Sequence, residues 1–295
     1  MPPASTTPRL SHRFASVDEV RIRLEESDYL SSPAIATTTF LADRLGKPLL
    51  VEGPAGVGKT ELAKAVARAT GARLIRLQCY EGVDEARALY EWNHAKQLLR
   101  ITAERDDNGW DGLKHDIFTE EFLLPRPLLA AIRSPEPVVL LVDELDKADV
   151  EIEGLLLEIL SDNAITVPEL GTITAAQQPF VVLTSNATRD LSEALRRRCL
   201  FLHIDYPNLE LEVAIVRRHV PDLADGLAES IVRLVGRLRD LRLRKSPSVA
   251  ETVDWARTLV ALGADELSEE VLRPNLGVLL KHQDDIDRAI IGLRL

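Results

Sequence analysis

Eight consecutive residues constrain the fold of this chain more than any others. The segment Gly53-Pro-Ala-Gly-Val-Gly-Lys59-Thr60 fits the pattern G-x-x-x-x-G-K-[ST] in full. An apolar run, Leu49–Val51, precedes it, and a helical pattern over Thr60–Thr70 follows it. In this context the glycines let successive N–H groups point inward at phosphate oxygens, and the helix N-terminus adds partial positive charge. The sequence therefore predicts a phosphate-binding loop between a strand and a helix.

The loop and the first helical residues are expected to contact a nucleotide. Lys59 should reach the β- and γ-phosphates, and the Thr60 hydroxyl should be a ligand of Mg²⁺. ATP with Mg²⁺ is therefore the predicted cofactor pair. The predicted nucleotide-binding residues are Gly53, Pro54, Ala55, Gly56, Val57, Gly58, Lys59, Thr60 and Glu61.

Two acids end the most apolar run of the chain, Val138–Val142, and supply the predicted hydrolytic groups. A strand of this kind delivers its last residues to the carboxyl edge of a parallel sheet, where ligands bind. We expect Asp143 to hold Mg²⁺ through water and Glu144 to polarise the attacking water. The alternative is a pair of solvated carboxylates at a strand end, which the upstream phosphate loop disfavours.

Two later groups are further candidates. Asn186 ends the predicted strand Phe180-Val-Val-Leu-Thr-Ser-Asn186, and is expected either to orient water near the γ-phosphate or to form a turn at the strand end. Three arginines, Arg196 to Arg198, follow Leu191–Leu195. They are either a solvated helix end favoured by the helix dipole or the source of an arginine finger for a neighbouring subunit.

The apolar pattern predicts an α/β core followed by a helical domain. Five short apolar runs alternate with helical segments, which favours a parallel sheet covered on both faces. The runs are Pro48–Val51, Leu74–Leu77, Pro137–Val142, Phe180–Leu183 and Leu200–Ile204. Past Pro207 the pattern is helical, including one long helix expected over Leu267–Ile290. We predict a flexible tail at 1–14, a core at 15–206 and a helical lid at 207–295.

Composition excludes several classes of function. With a formal net charge of −11, the chain lacks the overall positive electrostatic field of a general nucleic-acid binder. No segment is long and apolar enough to span a bilayer, and the Pro/Ser/Thr-rich start has no secretory pattern, so a cytoplasmic protein without membrane insertion is expected. The two cysteines, Cys79 and Cys199, have no metal-type spacing.

The order of these motifs resembles that of the AAA+ ATPases. The resemblance implies a three-layer αβα P-loop sandwich with a parallel five-stranded sheet, a small all-α lid, and ATP hydrolysis. Finer features look like the MoxR family, namely a hairpin expected at 162–175 before the Asn186 strand and a helix insertion near 80–124. Arg196–Leu200, Ile204–Pro207 and Pro247–Ala256 look closest to the CoxD-type branch, whose members are encoded beside carbon monoxide dehydrogenase genes.

The resemblance also implies site roles, with one departure. Arg198 matches the finger position best, because Cys199 stands where many relatives have Phe, and Arg197 is the alternative. MoxR proteins commonly carry Ser-Pro-Arg at a lid helix, whereas this chain has Ser246-Pro247-Ser248. Ser248 cannot supply that charge; Ser248-Val-Ala-Glu251 instead fits a capping box. Arg244 and Lys245 are possible substitutes, so this sensor role stays unassigned.

The expected function is an ATP-driven chaperone that remodels a protein client. The resemblance implies self-assembly into a ring, with six subunits, and a partner with a von Willebrand factor A domain. The CoxD-type likeness suggests maturation of a metalloenzyme, such as a molybdenum-containing carbon monoxide dehydrogenase. A nucleic-acid motor is the alternative, based on six basic residues: Arg233, Arg237, Arg239, Arg242, Arg244 and Lys245. A GTPase is disfavoured, because Asn186–Asp190 lacks the lysine of the base-reading motif.

Overall fold

The computed structural model describes residues 12–103, 117–224 and 226–293. The described chain divides into two compact units. The first takes in residues through Glu52 together with Thr60–His203, and the second takes in Gly53–Lys59 together with residues from Ile204 onward. No helix in the described ranges is long and apolar enough to cross a membrane.

The first unit alternates helices and strands. Its helices are α1 (Val17–Glu26), α2 (Pro33–Leu45), α3 (which begins at Lys59 and ends at Thr70), α4 (Glu85–Ala88), α5 (His94–Ala103), α6 (Pro127–Ile132), α7 (Val150–Asp162) and α8 (Glu193–Arg198). Its strands are β1 (Leu49–Glu52), β2 (Arg73–Gln78), β3 (Tyr90–Trp92), β4 (Leu123–Pro125), β5 (Val138–Asp143), β6 (Ala164–Val167), β7 (Gly171–Thr174), β8 (Phe180–Ser185) and β9 (Leu200–His203).

A parallel five-stranded sheet forms the centre of the first unit, in the order β2-β5-β8-β1-β9. Every residue of β5 and β8 is buried. Because successive side chains of a strand point to opposite faces, this burial means that both faces of the central strands are covered. The predicted α/β fold with five parallel strands is therefore confirmed, and each predicted apolar run lies on one of these strands.

The sheet order brings the ends of β5 and β8 together. The two strands are neighbours, with Val142 opposite Leu183, so the residues that follow each strand emerge side by side at the carboxyl edge. On the other side of β5, Gln78 of β2 lies opposite Asp143. This register places polar residues from three strands at one edge of the sheet.

Two hairpins accompany the sheet. Strands β6 and β7 pair antiparallel with Val167 opposite Gly171, within the segment 162–175 for which a hairpin was expected. Strands β3 and β4 pair antiparallel inside the expected insertion at 80–124. Residues 104–116 of that insertion, with Trp110, and residues 1–11 of the expected tail lie outside the described residues.

The second unit is helical over its described residues past Ile204. Its helices are α9 (Leu209–His219), α10 (Leu227–Arg239), α11 (Val249–Ala261), α12 (Glu269–Leu279) and α13 (Gln283–Leu293). They enclose an apolar core around Trp255, which is completely buried. A buried ion pair between Arg239 and Glu212 joins α10 to α9, and the Thr252 hydroxyl of α11 donates to the same carboxylate at 3.0 Å.

The expectation of one long helix over Leu267–Ile290 is wrong. The helix ends at Leu279, Leu280 has extended backbone, and a new helix begins at Gln283. Leu276, Leu279 and Leu280 are all buried on one side of the break, and Ala289 is buried on the other. The turn lets both helices place apolar residues in the same core, which a single straight helix of that length would not do.

Candidate functional site

The phosphate loop follows β1 directly and requires glycine for two reasons. Gly53 and Gly56 have φ values of +151° and +76°, which residues with a Cβ rarely adopt. In the second unit, a Cβ at Gly53 would also collide with the carbonyl oxygen of Ile204, and one at Gly56 with the side chain of Ser248. Steric contact and backbone conformation therefore both select glycine here.

Lys59 lies over the loop that precedes it. Its Nζ donates to the carbonyl oxygens of Gly53 at 2.6 Å and Pro54 at 2.7 Å, and the residue is only 7% exposed. Ala55 and Gly56 are exposed at the loop tip, whereas Val57 is buried. The ammonium group is thus held at the loop, where the sequence pattern expects bound phosphates.

Thr60 and Glu61 begin α3 with different roles for their side chains. The Thr60 hydroxyl donates to Oδ1 of Asp143 at 2.9 Å. The Glu61 carboxylate faces along the helix instead, where it accepts from Arg68 at 2.8 Å and pairs with Lys64 at 3.2 Å. Any contact of Glu61 with phosphate is therefore expected from its backbone N–H at the helix N-terminus.

Asp143 is buried at the end of β5, where oxygen atoms converge. It is 2% exposed, and its Oδ1 accepts from the hydroxyls of Thr60 and of Thr184, the latter at 2.6 Å. Its Oδ2 accepts from the guanidinium of Arg76, at 3.0 Å from Nε. A carboxylate beside a hydroxyl fits Mg²⁺, which takes oxygen ligands and usually few of them from protein. Thr60 and Asp143 are the residues that would hold it.

Glu144 follows immediately and turns the chain. Its backbone is left-handed, with φ +56° and ψ +48°, and its N–H donates to the hydroxyl of Thr184 at 2.9 Å. Its carboxylate accepts from Nε2 of Gln78 at 3.0 Å and from Nζ of Lys147 at 2.6 Å. The hydrogen bond with Glu144 raises the pKa of Lys147. Both expected acidic residues thus lie together, with the Glu144 carboxylate held by donors.

Asn186 lies at the neighbouring strand end, as its sequence position implies. Its N–H donates to Asp146 at 3.1 Å, and Asp146 also accepts from the N–H and hydroxyl of Thr188, at 3.1 and 2.6 Å. Burial opposes ionisation of Asp146, but these hydrogen bonds outweigh it and lower the pKa of the carboxyl. An ionised Asp146 therefore fixes the loop that carries Asn186 beside β5.

The three arginines of α8 have different surroundings. Arg196 donates to Glu52, the last residue of β1, at 2.7 Å. Arg197 has an 81% exposed side chain and pairs only one turn away, with Glu193 at 3.0 Å. Arg198 is also exposed and donates to the Ser161 hydroxyl at 2.7 Å. Arg196 is thus engaged within its own unit, while both residues predicted as finger candidates lie at the surface.

Three polar side chains of the strands that flank β5 contact Asp143 or Glu144 and were not among those predicted from the sequence, namely Arg76, Gln78 and Thr184. Gln78 had a usable signal, because a polar residue ending an apolar run at a sheet edge is a candidate for ligand contact. Thr184 had little, since threonine is an ordinary strand residue. Its role depends on which strand is its neighbour, which the sequence does not state.

The segment Ser246-Pro247-Ser248, which lacks the arginine that MoxR proteins commonly carry there, ends in the N-cap of α11. The Ser248 hydroxyl accepts from the Glu251 N–H at 3.3 Å, and the Ser248 N–H donates to the Glu251 carboxylate at 2.8 Å, which completes the predicted capping box. Lys245 pairs with the same carboxylate at 3.1 Å. The hydrogen bonds of Arg244 and Lys245 to Asp285 are made by their backbone N–H groups.

Comparison with known proteins supports the interpretation of this geometry as a nucleotide-binding site. Residues 48–199 match the model of the family described as AAA domain (dynein-related subfamily). The gas vesicle ATPase GvpN of Haloferax mediterranei is 25% identical over 278 residues, spanning 90% of this chain and 77% of that protein. The gas vesicle ATPase GvpN1 of Halobacterium salinarum is 22% identical over 270 residues, spanning 84% and 76%.

A solved structure shares the fold. A Thermotoga maritima RuvB mutant superposes with a TM-score of 0.51 at 18% identity, and the match covers 90% of this chain and 73% of that one. At this identity the likeness concerns the arrangement of strands and helices alone. It agrees with the parallel sheet and the trailing helices described above.

Proposed function

Because the chain belongs to the AAA domain family, in its dynein-related subfamily, we propose that it uses ATP to remodel a protein client from within a ring of identical subunits. The protein is an ATPase and binds ATP with Mg²⁺. The ring, the client and the individual residue roles are the parts that we propose.

The convergence of Thr60, Asp143 and Glu144 at one sheet edge is the observation that carries this proposal. Thr60 and Asp143 would hold Mg²⁺, which would offset the negative charge of the phosphates during hydrolysis. Lys59 binds the β- and γ-phosphates. Glu144 accepts a proton from the attacking water, for which its carboxylate must leave the Gln78 or Lys147 donor. Asn186 orients that water.

The exposed arginines support a ring. Arg198 and Arg197 are exposed on α8, whereas Arg196 is paired with Glu52. Arginines supplied across a subunit boundary stabilise transition-state charge during phosphoryl transfer. Head-to-tail contacts of this kind close into rings when the rotation permits. We propose six subunits, with Arg198 as the finger and Arg197 as the alternative.

The basic run of the lid gives little support to a nucleic-acid motor. Three of its six cations pair within the described lid itself: Arg233 with Glu229, Arg239 with Glu212, and Lys245 with Glu251. Phosphate contacts need cations that release counterions on binding, so paired residues contribute less. A filter-binding assay at modest salt separates the two functions, since ATP-dependent binding of DNA or RNA would favour the motor.

The client is proposed at two levels. The MoxR resemblance supports a protein client held through a partner with a von Willebrand factor A domain, and the CoxD-type likeness supports a metalloenzyme, for example a molybdenum hydroxylase. The curated relatives are gas vesicle ATPases, which supports an assembled protein structure as the second candidate client. The β6–β7 hairpin and the insertion around β3 and β4 are the segments that we propose to contact it.

A trapping experiment tests the remodelling function. The Glu144→Gln protein, loaded with ATP, is expected to retain client and partner in a pull-down from the host. The Lys59→Ala protein, which should not load ATP, is the matched control. Equal recovery with both variants would contradict ATP-dependent remodelling. Deletion of the gene then distinguishes the clients, because only the true client should be left inactive or unassembled.

A further inference from the structure

A single buried hydroxyl joins the two acidic residues that follow one another at the end of β5. Thr184 of β8 is 1% exposed, and its Oγ1 donates to Oδ1 of Asp143 at 2.6 Å. The same oxygen accepts from the N–H of Glu144 at 2.9 Å. A hydroxyl has one proton to donate and can also accept. Thr184 therefore donates its proton to the Asp143 carboxylate and accepts the backbone N–H of Glu144 with a lone pair.

The hydrogen bond to Asp143 acts on the orientation of its carboxylate. Oδ1 accepts from Thr60 as well as from Thr184, while Oδ2 accepts from Arg76. Thr60 is only half-buried and Arg76 is exposed, whereas Thr184 is enclosed in the sheet. Because Thr60 is itself expected to become a metal ligand, its hydroxyl cannot be the permanent anchor of that carboxylate. Thr184 is the partner placed to remain.

The hydrogen bond from Glu144 acts on its backbone. Left-handed conformation is unfavourable for a residue with a Cβ, so it persists only where surrounding contacts hold it. The Glu144 N–H is fixed by Thr184, and its carboxylate is fixed separately by Gln78 and Lys147. The backbone contact is thus independent of where the carboxylate points, and it would persist when the carboxylate turns toward water.

We propose that Thr184 is a positioning residue for ATP hydrolysis. It orients the Asp143 carboxylate toward the Mg²⁺ site, and it fixes the Glu144 backbone so that the Glu144 carboxylate can reach the attacking water. The proposal rests on ATP hydrolysis and on the assigned roles of these two acids; it does not depend on the client. Valine has nearly the shape of threonine and would fit this fully buried strand. What it would lose is the hydroxyl, leaving a buried N–H without its acceptor.

Thr184→Val is therefore the test, with Thr39→Val as the matched control. Thr39 is also completely buried, but its hydroxyl has no hydrogen-bond partner among the residues that the structure describes. We expect Thr184→Val to lower kcat about 10- to 100-fold, the range for small misplacements of catalytic groups. The Mg²⁺ concentration that half-saturates activity should rise. Binding of a fluorescent ATP analogue should be unchanged in EDTA but tightened less by Mg²⁺, whereas Thr39→Val should match the parent in all three.

A second pair of variants guards against misfolding. Thr184→Ser and Thr184→Ala both lose the methyl group and differ from each other only in the hydroxyl. We expect the serine variant to stay close to the parent and the alanine variant to show the losses predicted for valine. Equal kcat and equal Mg²⁺ dependence for serine and alanine, or for Thr184→Val and Thr39→Val, would overturn the role of Thr184. Client recovery is a separate measurement, so failure of the remodelling proposal would not be mistaken for this result.

Discussion

The Glu144 carboxylate is held between the Gln78 amide and the Lys147 ammonium. Glu144→Gln keeps the shape of the side chain but cannot take a proton from water. We expect ATP affinity to be retained while turnover falls by about 10²- to 10⁴-fold, the usual contribution of a general base. Steady-state ATPase rates and binding of a fluorescent ATP analogue measure the two effects.

The control for that variant is Glu151→Gln, which changes an exposed acid in the first turn of α7. It removes one negative charge, as Glu144→Gln does, from a residue outside β5. We expect it to leave turnover close to that of the parent. Near-normal ATPase activity of Glu144→Gln itself would rule out Glu144 as the water activator.

The Cys79 thiol adjoins the same acids and should be unreactive. Burial first, and then the negative charges of Asp143, Asp146 and Glu144, together raise its pKa to about 12. Below that pH the thiol stays neutral, and only the thiolate is nucleophilic. Relative to the ordinary pKa of 9.0, the thiolate fraction at pH 8 falls about 1,000-fold. Iodoacetamide labelling followed by mass spectrometry should therefore be slow in the native protein and fast after unfolding.

Cys199 is the internal comparison, because burial also raises its pKa to about 12. It lies at the end of α8, away from the carboxylates of β5. Both thiols should become reactive together when the chain is unfolded. Rapid labelling of Cys79 in the folded protein, at a pH where Cys199 is protected, would contradict the enclosed environment of the strand end.

Residues within a contiguous motif could be predicted from sequence, whereas the partners that a residue contacts across neighbouring strands could not. The loop through Lys59 and Thr60, and the acids after an apolar run, carry their spacing in the chain itself. Gln78 and Thr184 reach Glu144 and Asp143 only because β2 and β8 flank β5. Strand order depends on long-range pairing, for which local apolar patterns contain no information.

At the scale of elements, helix and strand types were predictable, and a break inside a helical pattern was not. The apolar residues of α12 and α13 follow one helical period across residues 280–282. Periodicity alone therefore predicts a single helix where the structure has two. The turn there is a consequence of packing, since Leu280 is buried in extended conformation. The same limit applies to the lid loop at 244–248, whose shape depends on a distant acceptor, Asp285.

Contact between the phosphate loop and the start of α11 gives a prediction about Gly56. Gly56→Ala would place a residue with a Cβ in a left-handed backbone conformation, and that Cβ would collide with the side chain of Ser248. We expect a loss of about 1–3 kcal/mol in the free energy of unfolding, as for strained backbone elsewhere, and weaker ATP binding because the loop must shift. Urea unfolding and nucleotide titration measure the two effects.

Gly82→Ala separates the two causes. Gly82 has a similar φ of +81°, but a Cβ there meets no atom of the described residues within 4 Å. Its loss of stability therefore reports the backbone cost alone, and we expect it to be smaller than that of Gly56→Ala, with ATP binding unchanged. Equal losses in the two variants would mean that the contact with Ser248 does not constrain the loop.

For the whole molecule, the sequence predicts assembly better than it predicts the client. The exposed positions of Arg197 and Arg198 suit a contact with another subunit, because both guanidinium groups are accessible at the protein surface. The helix dipole would also favour them there as solvated charges, so the mixing experiment below decides between the two roles. A client leaves no comparable pattern, since fold and catalytic motifs are shared among proteins of different function. Relatives that are gas vesicle ATPases and a resemblance to metalloenzyme accessory proteins therefore lead to different clients for one ATPase.

A mixing experiment tests whether Arg198 acts on a neighbouring subunit. Arg198→Ala should bind ATP but hydrolyse it poorly, because a finger contributes about 10³- to 10⁵-fold to turnover. Lys59→Ala should have the finger but no nucleotide. In a randomly mixed ring, an intact site pairs the loop of one variant with the finger of the other, so activity should peak at equal amounts, with about a quarter of the sites intact. Arg197→Ala in place of Arg198→Ala decides between the two candidates, and Arg233→Ala, whose partner Glu229 lies one turn away, is the surface control. Activity that stays flat across all mixing ratios, with co-assembly shown by native mass spectrometry, would contradict a role across the subunit boundary.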